Sequence, residues 1–397
     1  MRYPLAFVFI ISLFTKTYGQ DKLPAGKPLP VLAWMGVPAE ETSEVRFREL
    51  KEAGISLNFV HYPNVAAVEK ALEIGKKTGV QLVVACPELK SEPEKTVKRL
   101  MNHPAVAGYY LRDEPSRSDF PELGEWARRI QSVDKSKFCY INLFPTYASK
   151  EQLGTDTYRE YVETFVEEVP LSFISFDHYP LMKNRVSTKD YYQNMEIVAD
   201  IARKSGRDLW AFSLAVAFHD YAIPTLAEMK FQVYSILAYG AQTVQYFTYW
   251  TPITEQWDFH HAPITTDGKR TDTYEHVKTI NREIQSLAGV FVGSKVLSVW
   301  HTGDKIPQGT RRIAALPPKI KVLETTGEGA VVSLMEKESD TFLVIVNRDY
   351  QQPMKLTLVA EAGVRKVLKD GTLVPADAYT STLSVDPGDV AIYTWKK

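Results

Sequence analysis

Eight short apolar runs alternate with longer amphipathic stretches between about residue 30 and residue 290, and this alternation constrains the fold more than any other feature. The runs are residues 31–38, 57–63, 81–87, 106–115, 137–145, 172–180, 208–216 and 243–250. The helical patterns are residues 43–53, 65–78, 93–102, 120–132, 156–168, 189–204, 225–239 and 272–288. Near-continuous apolar strands separated by amphipathic helices are typical of a parallel sheet covered on both faces. Eight such units predict an α/β fold, a (β/α)8 TIM barrel, over residues 28–292.

The main alternative for a parallel sheet is the doubly wound fold. Its nucleotide-binding members carry a glycine-rich phosphate loop, G-x-G-x-x-G or G-x-x-x-x-G-K-[ST]. Neither motif occurs in the sequence. The pattern therefore favours the closed barrel.

After residue 293 the pattern changes to short alternating segments at roughly ten-residue spacing. Turn signals such as Thr326-Gly327, Asp370-Gly371 and Pro387-Gly388 separate them. Such spacing predicts a small antiparallel β-sandwich over residues 293–397. We find no catalytic constellation in this segment and expect it to pack against the barrel.

Charge and composition exclude several classes of protein. The 397 residues include 47 basic and 48 acidic side chains, and 45% are apolar. A disordered chain or a strongly basic nucleic-acid binder is excluded on these values, so we expect no nucleic-acid partner. The 21 Tyr, 18 Phe and 7 Trp are more aromatics than such a chain needs, and they call for a structural or functional explanation.

The first nineteen residues resemble an export signal. Arg2 precedes a ten-residue apolar run, residues 5–14, and Gly19 precedes the expected cleavage site. The run is shorter than the roughly 20 residues that span a bilayer, so we expect no membrane span in the mature chain and predict a secreted or periplasmic protein. The two cysteines, Cys86 and Cys139, lie inside apolar runs, where buried thiols are expected rather than a disulfide.

In a barrel of this kind, chemistry is located at the carboxyl ends of the strands. The sequence places carboxylates, amides and aromatic rings there. Such groups suit neutral polyhydroxy substrates, whose ring faces stack on aromatics while their hydroxyls take hydrogen bonds, so we expect a carbohydrate substrate. The candidate substrate-binding residues are Trp34, Tyr62, Arg112, Asp113, Asn142, His178, Tyr179, His219, Tyr249 and Trp250.

Two carboxylates are the candidate catalytic residues. Glu114 lies at the end of the fourth run, YYLRDEP, and Asp177 lies at the end of the sixth, SFDHYP. A glycosidase needs a general acid and a second carboxylate across the bond that it cleaves. The alternatives are structural: Arg112 and Asp113 as an ion pair, and Asp177 as an acid that orients His178.

At this point the sequence resembles a family. A glutamate ending the fourth strand of an eight-stranded barrel, followed by a β-sandwich, is similar to the clan-A retaining glycoside hydrolases. The resemblance implies that Glu114 is the acid/base, with Asp113 where the clan usually has asparagine. It also implies a nucleophilic glutamate at the end of the seventh strand. The seventh run, AFSLAVAFHDY, offers only His219 and Asp220 instead.

The second carboxylate therefore has three candidates, Asp177, Asp220 and Glu255. Asp177 is favoured because it ends a buried strand, and rigid elements hold catalytic geometry better than loops. No H-E-x-x-H motif and no H-x-H at the first strand is present, so we expect no metal and no cofactor. G-x-S-x-G is also absent.

The sequence thus predicts an exported glycoside hydrolase that uses Glu114 and Asp177 on an oligo- or polysaccharide. Two alternatives stay open. One is a non-hydrolytic glycan-binding barrel, favoured by the missing strand-seven nucleophile. The other is a metal-dependent sugar isomerase or epimerase. The sequence does not predict the oligomeric state.

Overall fold

The computed structural model describes residues 21–24, 26–184, 190–376 and 382–397, so the predicted export signal lies outside the described residues. Eight parallel strands form a closed barrel in chain order, and β1 pairs with both β2 and β8. The predicted barrel is confirmed. Its strands are β1 (Val31–Trp34), β2 (Leu57–Phe59), β3 (Gln81–Val84), β4 (Val106–Asp113), β5 (Phe138–Leu143), β6 (Phe173–Phe176), β7 (Asp208–Leu214) and β8 (Ala241–Phe247).

Helices cover the outside of the barrel, and their buried faces pack on the strands. Local signals set several of their ends: the Asn64 side chain caps α2 and Gly79, with φ of 74°, ends it in the left-handed region that glycine tolerates. The helices are α1 (Glu44–Glu52), α2 (Val65–Thr78), α3 (Pro87–Ser91), α4 (Pro93–Leu100), α5 (Phe120–Val133), α6 (Lys150–Leu153), α7 (Tyr158–Glu168), α8 (Tyr191–Ser205), α9 (Leu226–Ala238), α10 (Asp272–Ser286) and α11 (Ala288–Phe291).

Aromatic side chains fill the barrel interior. The rings of Phe173 and Trp210 stack with centroids 3.9 Å apart, and Trp34 contacts the rings of Phe59 and Tyr140 above them. These residues belong to an interior cluster distinct from the layer between strands and helices. Part of the aromatic excess is therefore structural, because large rings fill a closed barrel without leaving voids.

In the described residues after the barrel, nine strands form a six-stranded and a three-stranded antiparallel sheet with an apolar core between them. This confirms the predicted C-terminal antiparallel sandwich. Its strands are β9 (Lys295–His301), β10 (Ile320–Thr325), β11 (Ala330–Lys337), β12 (Asp340–Asn347), β13 (Met354–Ala360), β14 (Arg365–Val367), β15 (Leu373–Pro375), β16 (Leu383–Val385) and β17 (Val390–Lys396).

The sandwich packs against α9 of the barrel. Phe231 on α9 contacts the ring of Tyr350 at 5.4 Å, and Lys230 Nζ lies 3.0 Å from Glu283 Oε1 and 3.1 Å from Asp389 Oδ2. Ring contact and ion pairs thus join the two parts of the chain. Among the described helices, none is long and apolar enough to cross a membrane.

Candidate active site

An irregularity in β4 decides which of its last side chains enters the barrel mouth. The pairing of β4 with β5 shifts between Tyr110 and Arg112, so that Asp113 lies opposite Asn142 and Arg112 lies opposite Ile141. Ile141 packs in the layer between strands and helices. A bulge re-aims the side chains that follow it. Asp113 therefore shares the inward side of the sheet with Asn142, and Arg112 does not.

Asn142 joins carboxylates from two strands. Its Nδ2 donates to Asp177 Oδ1 at 2.7 Å and to Asp113 Oδ1 at 3.2 Å, and its Oδ1 accepts from the Ser175 hydroxyl at 2.9 Å. Because both amide groups are occupied, the orientation of the Asn142 side chain is determined. Asn142, near the end of β5, thus links Asp113 at the end of β4 to Asp177, which follows β6.

Glu114 follows directly and completes a group of three carboxylates. Its backbone is left-handed, with φ of 44°, and its N–H donates to the Asn142 carbonyl at 2.8 Å. Such a backbone is uncommon outside glycine and persists where the surrounding structure holds it. The hydrogen bond to β5 ties the end of β4 to the strand that carries Asn142.

The three acids hold their protons more tightly than free carboxyls do. Burial, then the charges of Asp177 and Asp113, raise the pKa of Glu114 well above its ordinary value. Burial and the charge of Asp113 raise the pKa of Asp177, although hydrogen bonds from Asn142 and Tyr179 oppose this. Asp113 is exposed at the barrel mouth, but desolvation by the surrounding protein raises its pKa to about 6, against the effect of the hydrogen bond from Asn142. Like charges that share a site separate into an acid and a base in this way.

The structure brings five predicted site residues together at the mouth: Asp113, Glu114, Asn142, Asp177 and Tyr179. Trp34 lies below them in the interior, 5% exposed, with its ring 6.0 Å from that of Tyr110.

Other predicted residues lie elsewhere. Tyr62 is buried beside Thr42 and Asn58, and Tyr249 is buried near Glu49 and Tyr274. The guanidinium of Arg46 lies over the ring of Trp250, which is also buried. The prediction grouped these rings by their position at strand ends. Side chains at such positions alternate between two faces, and these three face the helices.

His178 and Arg112 also face outward. His178 Nδ1 lies 2.9 Å from Asn194 Oδ1 on α8, and burial lowers its pKa. Arg112 lines a surface depression with Glu122 and Trp126 and makes no salt-bridge contact with Asp113 or Glu114, although its charge opposes the rise in the pKa of Asp113. Its position on the outer side of β4 does not support the prediction that Arg112 binds substrate.

His219 lies at the exposed rim. Its Nε2 is 3.2 Å from Asp220 Oδ2, and both side chains are more than half exposed. The end of β7 presents Leu214 and Val216 to the interior, so no carboxylate stands where the resemblance implied a nucleophile. Glu255 lies in an exposed loop. Of the three candidates for the second carboxylate, only Asp177 lies beside Glu114.

Two tyrosines at the barrel mouth, Tyr147 and Tyr221, were not among the site residues predicted from the sequence. Tyr147, half exposed, contacts the His178 ring at 5.0 Å and interacts with the Tyr221 hydroxyl. Desolvation by the surrounding protein, followed by the charges of Asp177 and Glu114, raises the pKa of both tyrosines. Each lies in the loop that follows a barrel strand, β5 or β7, on the face where catalytic residues are expected, and that position was the available signal.

Within the described part of the chain, no three His, Cys, Asp or Glu side chains are grouped as a metal site. The raised pKa of Glu114, with the Asp177 carboxyl beside it, gives an arrangement that suits proton transfer. Carboxylates, an amide and tyrosine hydroxyls can also bind sugar hydroxyls.

Replacing Asp113 with asparagine is expected to move the pH profile of kcat/KM towards acid. A general base acts above its pKa and a general acid acts below its pKa. The negative charge of Asp113 raises the pKa of both Asp177 and Glu114, so its removal lowers both and moves both limbs of the profile to lower pH. Asparagine keeps an acceptor for Asn142. If the two limbs of the profile stay in place, or move to higher pH, the roles predicted for Glu114 and Asp177 are contradicted.

The family model Glyco_hydro_42, described as Beta-galactosidase, matches residues 146–287. This segment includes Asp177 but begins after Glu114. No curated protein sequence matches the chain with significance.

Solved structures share the fold at low identity. A β-galactosidase from Bacillus circulans sp. alkalophilus is 11% identical, with a TM-score of 0.62 over 93% of this chain and 99% of that chain. A GH42 β-galactosidase from G. stearothermophilus is 9% identical, with a TM-score of 0.61 over 96% of this chain and 100% of that one. A β-galactosidase from the psychrophilic Marinomonas ef1 is 12% identical, with a TM-score of 0.50 over 66% of this chain; the chain spans 60% of that protein.

The closed barrel followed by an antiparallel sandwich is the fold that this chain shares with these β-galactosidase structures. The family model covers 142 of the 397 residues, the part of the barrel from the loop after β5 to the end of α10.

Proposed function

We propose that the protein is an exported glycoside hydrolase that cleaves a glycosidic bond in an oligo- or polysaccharide. The observation that carries the proposal is the cluster of three carboxyl side chains at the ends of β4 and β6. In this cluster Asn142 bonds to Asp177 and Asp113, and both of these acids lie near Glu114. The charge-balanced chain agrees with an uncharged substrate, which needs no electrostatic steering.

In this scheme Glu114 is the general acid. Its raised pKa keeps it protonated at neutral pH, so that it can give its proton to the oxygen that leaves the sugar. Asp177 either attacks the anomeric carbon or takes a proton from the attacking water. The first route retains the anomeric configuration and the second inverts it. Tyr147 and Tyr221 lie where they can bind hydroxyl groups near the reacting carbon.

We expect the purified protein to hydrolyse at least one member of a panel of plant, host and microbial glycans. β-Linked galactosides come first in the panel, because the matching family model is described as Beta-galactosidase. Proton NMR of the first product distinguishes retention from inversion, and the rate is expected to be unchanged by a chelator. A rate of hydrolysis that is abolished by chelation and restored by a divalent ion would contradict the scheme in which Glu114 and Asp177 act without a metal. Metal-dependent interconversion of free sugars, with no hydrolysis of any glycan, would indicate the isomerase or epimerase class.

A second function has one observation in its favour. Because Leu214 and Val216 occupy the inner side of the β7 end, the site lacks the nucleophile found in the family it resembles. A barrel that binds glycans without cleaving them would have this feature. Saturable binding of a glycan that is never hydrolysed, in the wild-type chain, would favour this function.

Export is part of the proposal. It is supported by the positive charge of Arg2 near the amino terminus and by the apolar run at residues 5–14. Cell fractionation of the full chain tests it. Recovery from the periplasm or medium, with loss of the first nineteen residues, is the expected result, and retention in the cytoplasm would contradict it.

A further inference from the structure

We propose that Trp257 is a binding platform for a sugar unit beyond the one held at the carboxylates. This inference rests on the proposed function and deepens it, since it assigns a chain of several sugars as the ligand. Trp257 lies in the loop after β8 and is 36% exposed. Its ring contacts with Phe218 and His219 are both edge-on, so no ring among the described residues stacks flat on it.

A continuous row of aromatic rings joins Trp257 to the carboxylates, and we call it the aromatic ridge: Tyr179, Tyr221, Phe218 and Trp257. The Tyr179 ring lies 5.7 Å from that of Tyr221, which lies 4.9 Å from Phe218, and Phe218 lies 6.1 Å from Trp257. At the inner end, the Tyr179 hydroxyl bonds to Asp177. The ridge therefore runs from the reacting group to the rim of the mouth.

The loop that carries Trp257 is bonded to the segment that follows β7. Ala217 and His260 exchange two backbone hydrogen bonds of 2.9 Å, and the His219 N–H donates to Asp258 Oδ1 at 3.0 Å. The Trp257 N–H donates to the Thr254 hydroxyl at 3.1 Å. These bonds fix the backbone of the loop, and the edge-on contacts with Phe218 and His219 pack against the ring, so less entropy is lost when a ligand binds.

Polar groups flank the ring. His219 and Asp220 form an exposed pair beside it, and His219 lies 4.9 Å from the Trp257 ring. A flat apolar surface with donors and acceptors at its edge suits a pyranose, which has an apolar face and a hydroxyl rim. A second sugar of an oligosaccharide matches this chemistry better than a charged or fully apolar ligand.

The test measures binding by calorimetry in the Glu114→Gln chain, so that turnover does not deplete the ligand. The probes are galactose, glucose, xylose and mannose, each paired with its β-1,4-linked trisaccharide. We expect at least one trisaccharide to bind about tenfold more tightly than its monosaccharide, as one aromatic contact allows. Adding Trp257→Ala should remove this advantage and leave monosaccharide binding unchanged.

Two further variants separate stacking from structure. Trp257→Phe keeps a ring and should retain most of the trisaccharide advantage. Ile253→Ala alters an apolar residue of the same loop that is 84% exposed and should change nothing. The platform is overturned if no trisaccharide binds more tightly than its monosaccharide, or if Trp257→Ala weakens both ligands equally.

The outcomes separate the platform from the proposed hydrolysis. If trisaccharide binding depends on Trp257 and the wild-type chain hydrolyses no glycan, the platform is supported and hydrolysis is overturned. If the wild-type chain hydrolyses a glycan and Trp257→Ala does not change trisaccharide binding, hydrolysis is supported and the platform is overturned.

Discussion

Glu114→Gln and Asp177→Asn are each expected to lower kcat by about 10²–10⁴-fold, the usual contribution of a positioned acid or base. Glutamine cannot give a proton to the leaving oxygen, and asparagine can neither attack the anomeric carbon nor accept a proton from water. Both replacements are close in size to the original side chain, so the barrel is expected to fold. Initial rates on the glycan identified in the panel measure the effect.

Matched controls are available in the same chain. Asp220→Asn and Glu255→Gln remove the other two candidates for the second carboxylate, and both side chains are exposed. Glu255→Gln is expected to keep the wild-type turnover. Asp220→Asn is expected to keep kcat and to change at most KM, because Asp220 lies beside the Trp257 platform and not beside Glu114. Full activity in Asp177→Asn, together with a large loss of activity in Asp220→Asn, would identify Asp220 as the second catalytic carboxylate. The pairing of Asp177 with Glu114 would then be wrong.

Trp210→Ala is expected to destabilise the barrel by about 3–5 kcal/mol, the range for removing a large buried ring. The Trp210 ring stacks on Phe173 and contacts Phe138 at 5.1 Å, so its loss leaves a cavity inside a closed sheet. For a domain of this size we expect the melting temperature to fall on the order of 10 °C. Circular dichroism or calorimetry measures the change.

Trp210→Phe serves as the control because it keeps an aromatic ring on Phe173, and it should lose far less stability. Trp257→Ala removes an exposed ring of the same type and should leave the melting temperature near the wild-type value. If Trp210→Ala melts like the wild type, the interior rings do not support the barrel as the packing indicates.

The fold could be read from the sequence because its signal is repeated. Each of the eight apolar runs is matched by a strand, and the amphipathic stretches between them are matched by helices. The period of the hydrophobic pattern and the length of each segment are enough to predict these elements, since a strand buried on both faces is apolar along nearly its whole length.

The candidate site could be read only in part. Glu114 and Asp177 stood out because charges at the ends of apolar strands need a cleft or a partner. Tyr62, Tyr249 and Trp250 occupy similar places in the sequence, yet they face the helices. The bulge in β4 reverses the sides of Arg112 and Asp113, and a register shift leaves no clear mark in the residues that carry it.

The sequence by itself determined the eight strand–helix units, the separate sandwich and the two strand ends that carry acids. Only the tertiary structure decided that Asn142 bonds both Asp113 and Asp177, that Tyr147 and Tyr221 lie beside them, and that the end of β7 is apolar on its inner side. The physical reason is that periodicity is a local property of the chain. The contacts of a site depend on how separate strands are aligned, and the closure of the barrel sets that alignment.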